Sequence, residues 1–358
     1  MTPERHNPIA EEMLARLPNS ADVYPQKFDL VRETALLVEF GANAYRSASF
    51  LDDRVLSPST KGAVVPLARV AEAARAVANS KPLHFIFHTG HVGSTLVSRL
   101  LDDSGAVLSL REPLPLRSLA DARDGLGKPD ALLSDEQFDT LLDAFLRLWS
   151  RGYATTRCVV VKATSSAGRL APSILAQRTG ARAIYLNLRA EPYLATLLAG
   201  QNSPTDLRGH GPERMRRLLS FGIDAPAPLH QLSLGQLAAL SWLSESLSRR
   251  DALRQFGGRV AAIDFDALLM NVPDGMARIM KQFELPEDPK FLSAITVSPT
   301  LTRYAKAPEH AYTPQFRAQI LADSHRRNGA EIREGLHWLE NAARTNVVVA
   351  EILGGTGG

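Results

Sequence analysis

Residues 84–101, HFIFHTGHVGSTLVSRLL, bring two glycines, a serine and a threonine together between an apolar run and an amphipathic segment. That order can build an anion site. Gly90 and Gly93 permit a tight turn, and the turn aims free backbone N–H groups at one point. The hydroxyls of Ser94 and Thr95 stand at the start of the following helix, where unpaired N–H groups also favour a phosphate-like group. Leu96, Val97, Leu100 and Leu101 then recur at helical spacing, the face that would pack on a sheet. A strand–glycine–helix passage also serves as an ordinary βα turn, so the anion reading needs support from elsewhere in the chain. The loop is not of the Walker type, G-x-x-x-x-G-K-[ST], because it lacks the lysine that reaches terminal phosphates.

Other chemistries are disfavoured. His84 and His88 sit at even spacing on one strand and share a face, which suits core or edge histidines better than ligands. Their His-x-x-x-His spacing falls on a strand rather than a helix, and no His/Asp cluster suggests a metal. Ser94 has no G-x-S-x-G setting, so an esterase nucleophile is not expected. The single cysteine, Cys158, allows no internal disulfide and no cysteine-rich zinc site, and its place in an apolar run predicts a buried, inert thiol.

The elements that must position these residues alternate between short apolar runs and longer helical patterns from residue 80 onward. This predicts an α/β fold, a parallel sheet flanked by helices. The predicted strands are 83–87, 106–110, 158–161, 183–188 and 260–265. Ser134 with Gln137, and Ser233 with Gln236, have capping-box spacing before leucine-rich helices. Residues 201–213, polar and rich in Gly and Pro, read as a loop. Residues 1–79 form a small N-terminal extension packed on the core, with a hairpin of 36–40 and 45–51 and a helix over 65–78. The main domain spans 80–345 and a C-terminal tail 346–358, of which 354–358 are expected to be disordered.

The net charge of +3 and pI near 9.0 include no long single-sign block. The basic clusters at Arg214, Arg216, Arg217 and at Arg249, Arg250 therefore read as solvated helix faces, and no nucleic-acid partner is expected. The N-terminal residues lack the pattern of a secretion signal, and no run reaches the length of a membrane span. A cytoplasmic protein with no membrane association is expected.

From His91 the order His-Val-Gly-Ser-Thr resembles the Lys/Arg-Ser-Gly-Thr/Ser-Thr loop of sulfotransferases that use 3′-phosphoadenosine 5′-phosphosulfate. Gly93, Ser94 and Thr95 fall on matching positions, and His91 replaces the usual cation. Residues 182–198, RAIYLNLRAEPYLATLL, look like the second family signature, with Arg189 on the residue that binds the 3′-phosphate. The family's serine eight residues later is Leu197 here, and Thr196 is the nearest hydroxyl. VVVKATS resembles the strand whose end carries a lysine, Lys162, near the phosphosulfate. Residues 263–286 are similar to a late strand, helix and closing Phe-x-Leu-Pro, and RYAKAPEHAY to the C-terminal segment that returns a cation, Lys306, over the phosphates.

The resemblance implies a P-loop NTPase-like sulfotransferase fold and transfer of a sulfuryl group to an acceptor hydroxyl or amine. The co-substrate would be 3′-phosphoadenosine 5′-phosphosulfate, with no metal. Gly90, His91, Val92, Gly93, Ser94, Thr95, Arg189, Thr196 and Lys306 would bind it. His91, Glu112 and Lys162 would be catalytic. Glu112, just after the second strand, matches the position of a family general base, while an ion pair with Arg111 or Arg117 is the structural alternative. The acceptor is a small molecule, a sugar or a peptide. A nucleotide-dependent kinase on the same core and a non-catalytic adenosine-phosphate-binding protein remain the competing readings.

Overall fold

The computed structural model describes residues 7–225 and 227–355. The first three strands are β1 (Val23–Asp29), β2 (Thr34–Glu39) and β3 (Gly62–Pro66), an antiparallel sheet in the order β1-β2-β3. The five that follow are β4 (Leu83–His88), β5 (Val107–Arg111), β6 (Cys158–Lys162), β7 (Ala183–Asn187) and β8 (Val260–Asp264). They form a second sheet in the order β5-β6-β4-β7-β8, with β6 parallel to both β4 and β5. Every residue of β4 through β7 is buried, as expected for strands covered on both faces. These strands match the predicted ones to within one residue at either end. A short hairpin, β9 (Arg303–Tyr304) and β10 (Ala307–Ala311), completes the set.

The chain divides into two compact units. Among the described residues, one comprises 7–86 together with 97–183; the other comprises 87–96 together with 184–225 and 227–355.

In the first unit, the N-terminal region shares its core with the helix Asp135–Trp149, which opens on the predicted capping box of Ser134 and Gln137. Met13, Leu14, Leu17, Val23, Leu37, Val65 and Val70 cluster with Ala144 and Leu148. The predicted hairpin is misplaced. Residues 42–47 form a helix, not a strand, and β2 pairs instead with β1 and β3. The cause is Tyr45, which is buried edge-on against Tyr24 and Phe40 and donates its hydroxyl to Ala21 O at 2.7 Å. The β1 partner is hard to read in the sequence because a bulge between Pro25 and Lys27 breaks its alternation.

Arg151 ties this region down. Its guanidinium, 5% exposed, donates to Leu148 O at 2.6 Å, Ser20 O at 2.6 Å, Val23 O at 3.0 Å and also to Leu17 O. Burial lowers its pKa to about 10, so it is charged at neutral pH and held by these backbone carbonyls. Arg151→Met should lower the unfolding free energy by about 3 kcal/mol, since several buried acceptors lose their donor at once. Equilibrium urea unfolding measures this, and an unchanged midpoint would show the clamp to be idle.

In the second unit, the other predicted capping box, Ser233 with Gln236, opens the helix Leu234–Phe256. That helix crosses the helix Pro314–Thr345 at two glycines. A Cβ on Gly235 would lie 1.8 Å from Glu331 O, and one on Gly335 2.4 Å from Gly235 O. Residues 203–220, expected in part as a loop, are instead a helix with Pro212 inside it. Burial of Leu207 and Leu218 outweighs the poor local propensity. Of the arginines expected on a solvated face of this helix, Arg216 is exposed but Arg214 and Arg217 are buried. The reason is a set of acceptors on the neighbouring helix: Arg217 donates to Ser244 O at 2.6 Å and to Ser248 Oγ and Glu245 Oε1, each at 3.0 Å. Residues 347–354 of the C-terminal tail are also helical, capped by Asn346 and buried at Val349 and Ile352. Gly354 closes that helix, where disorder was expected, and 356–358 lie outside the described residues.

Candidate active site

The glycine loop belongs to the second unit. Its entry is fixed by Thr89 N, which donates to Leu186 O at 3.0 Å, and by Gly90 N, which donates to His88 Nδ1 at 3.1 Å. Three residues then take left-handed backbone conformations, Gly90 at φ 101°, His91 at 54° and Gly93 at 67°. Such a run turns successive N–H groups toward a common point, and a histidine there is uncommon. His91 is exposed, whereas Val92 is fully buried and anchors the loop. Gly93 admits no side chain, since a Cβ would lie 2.0 Å from Phe265 Cε2. The helix Ser94–Asp103 follows at once, with Ser94 and Thr95 at 4% and 3% exposure.

Two hydroxyls at this loop, Thr89 Oγ1 and Thr95 Oγ1, are buried with no hydrogen-bond partner. An orphaned buried hydroxyl is costly unless something else satisfies it, so the loop suits an oxyanion. Thr89 was not among the sequence-predicted residues. Its only signal was a hydroxyl at the end of an apolar strand, ahead of the first glycine.

Glu112 and Lys162 are brought together in the first unit. The Lys162 ammonium, fully buried, donates to Glu112 Oε1, and Glu112 N donates to Lys162 O at 2.7 Å. Glu112 is held at φ 53°, just past the end of β5. Its neighbour Arg111 is committed elsewhere. That guanidinium pairs with Asp102, and donates to Ser98 Oγ at 2.9 Å, Tyr45 O at 3.0 Å and Ala48 O at 2.9 Å. The alternative of an ion pair between Glu112 and Arg111 is therefore not taken up, and Lys162 is the cation that pairs with Glu112.

Arg189, Thr196 and Lys306 lie in the second unit. Arg189 is exposed at the N-cap of the helix Ala190–Leu198. The backbone just before it is pinned by Trp242 Nε1, which donates to Leu188 O at 2.9 Å. Thr196 Oγ1 donates within its own helix to Pro192 O at 2.7 Å and keeps its lone pairs as acceptors. Lys306 sits in the β9–β10 turn, beside a packed row of Tyr304, Tyr312 and Phe316.

Cys158 is buried, and burial pushes its thiol up to about 12, so it is inert as expected. His84 also behaves as a core histidine, with Nδ1 accepting from Arg182 N at 3.2 Å. Among the described residues, no group of three His, Cys, Asp or Glu could hold a metal ion, and no helix is long and apolar enough to cross a membrane.

No family model matches the chain, and no curated protein matches it. Several solved structures do. A sulfotransferase domain from the curacin biosynthetic pathway is 16% identical, covers 70% of this chain and 92% of its own, and has a TM-score of 0.39. A sulfotransferase from Alicyclobacillus acidocaldarius is 14% identical, with coverage of 71% and 97% and a TM-score of 0.37. A retinol dehydratase, solved with retinol and PAP, is 12% identical, with coverage of 92% and 95% and a TM-score of 0.32. The solved structures to which the chain is similar thus include sulfotransferases, the family whose phosphosulfate loop its residues 91–95 resemble.

Proposed function

We propose that the chain is a sulfotransferase, moving a sulfuryl group from 3′-phosphoadenosine 5′-phosphosulfate to an acceptor hydroxyl or amine. The observation that carries this reading is the pair of orphaned hydroxyls, Thr89 and Thr95, in a loop of left-handed residues that opens a helix. Those are donors in search of an anion. Thr89, Ser94, Thr95 and the loop N–H groups would hold the 5′-phosphosulfate, and Arg189 and Lys306 the 3′-phosphate, where a guanidinium fork matches phosphate oxygens. Thr196 would add a hydroxyl to the same end.

Sulfuryl transfer asks for alignment and for neutralisation of charge on the leaving phosphate. Glu112 would take the proton of the acceptor hydroxyl as it attacks sulfur. Lys162 holds that carboxylate in place and supplies fixed positive charge. His91 would stand in for the family's loop cation. A small molecule, sugar or peptide serves as acceptor, in a reducing cytoplasmic setting that suits one buried thiol.

Titration calorimetry with adenosine 3′,5′-bisphosphate, ATP and ADP is the test. The bisphosphate should bind tightest, and preference for ATP would favour the kinase reading. In the transfer assay His91→Ala should lose on the order of a hundredfold, and His91→Lys should retain or raise the rate. Full activity in His91→Ala would remove His91 from the mechanism. Tight bisphosphate binding with no transfer to any acceptor would favour a binding protein.

A further inference from the structure

The last residue of β4, His88, is 5% exposed and, beyond fixing the entry of the glycine loop, has no part in the proposed chemistry. Its Nδ1 stands 3.1 Å from Gly90 N. A backbone N–H can only donate, so Nδ1 must be the acceptor and carries no proton. The imidazole is therefore neutral, with its hydrogen on Nε2. The bond spans two residues, the same closure that an aspartate or asparagine makes to the N–H two positions on in an Asx turn. Here it fixes the Gly90 peptide, the first of the three left-handed positions at φ 101°, 54° and 67°.

His84, on the same strand and face, provides a contrast. Its Nδ1 also accepts a backbone N–H, but from Arg182, far from the glycine loop in the chain. One histidine secures strand packing; the other shapes the loop.

We infer that His88, as the neutral Nε2–H tautomer, is a positioning residue that latches the anion loop in its binding-competent form through Gly90 N–H. Its service to phosphosulfate binding rests on the sulfotransferase reading, whereas the latch itself does not.

Three measurements decide the matter, all on the full chain. Long-range 1H–15N spectra of histidine-labelled protein, with His88 assigned by comparison with His88→Asn, should show the neutral Nε2–H pattern. An Nδ1–H tautomer or an imidazolium at neutral pH would overturn the inference. Deuterium exchange at the Gly90 amide should be roughly tenfold faster in His88→Leu than in the wild type; equal rates would overturn it. Affinity for adenosine 3′,5′-bisphosphate should fall roughly tenfold in His88→Leu and recover to within about threefold in His88→Asn, whose Oδ1 can accept the same N–H. His84→Leu should lower the melting temperature with affinity kept within about threefold. Unchanged affinity in His88→Leu, or failure of asparagine to rescue it, would overturn the inference. If the wild type binds no bisphosphate, the sulfotransferase reading falls, and the tautomer and exchange results still judge the latch.

Discussion

Lys162→Met should lower the unfolding free energy by about 3–5 kcal/mol and Glu112→Gln by less, whereas the double variant should recover much of the loss. Lys162 is fully buried, and its ammonium is paired with a carboxylate that is itself nearly covered. Removing the lysine strands the Glu112 charge in a place built for a pair. Converting both to neutral side chains removes the stranded charge, so stability returns while function does not. Sulfuryl transfer should fall at least about a hundredfold in all three variants. Chemical denaturation and a transfer assay on the same preparations separate the two effects. Additive stability losses in the double variant would show that the two groups do not act as a pair. Retained transfer in Glu112→Gln would exclude Glu112 as the base.

The second large effect is expected at Gly93. Alanine there meets two penalties. Its backbone must hold φ 67°, costing about 1 kcal/mol or more for a residue with a Cβ. The new methyl also overlaps the Phe265 ring, with Cζ 2.3 Å and Cδ2 2.8 Å from the ideal Cβ, and Cε2 closer still. Overpacking of this kind costs about 1–3 kcal/mol. Phe265 cannot swing aside freely, because Arg317 lies over its ring at 5.4 Å and is paired with Asp266 at 2.7 Å. The loop should give way instead, so Gly93→Ala should abolish detectable bisphosphate binding by calorimetry. Adding Phe265→Leu should relieve the overlap but not the backbone strain, and should restore binding only in part. Wild-type affinity in Gly93→Ala would mean that this loop is not where the anion sits.

The parallel sheet was legible because its strands are continuous apolar runs between helical periods; CVVVK, residues 158–162, is buried at every position. The helix starts at Ser134 and Ser233 were legible because a capping box is local chemistry. The helix 203–220 was not, since Gly209, Gly211 and Pro212 argue locally for a loop and only burial from elsewhere in the unit overrides them. The N-terminal hairpin failed for a related reason: Tyr45 to Leu51 is apolar enough for a strand, and its helical turn is dictated by where the Tyr45 ring is buried. At the candidate site, residue types were readable and pairings were not. Glu112 and Lys162 are fifty positions apart, and their union depends on the register that sets Arg111 opposite Lys162. The sequence signal of Thr89, a hydroxyl between an apolar strand and the first glycine, is weak, because a buried hydroxyl differs from an exposed one only once its partners are known.

The Arg151 clamp bears on how this protein can be cut and recombined. A fragment beginning at residue 80 would remove Leu17, Ser20 and Val23, and three of the carbonyls that receive the guanidinium would go with them. The stretch 7–79 is therefore no detachable cassette, because the guanidinium buried against it belongs to the rest of the unit. Variation in this region would have to come as side-chain changes on a retained backbone, one substitution at a time.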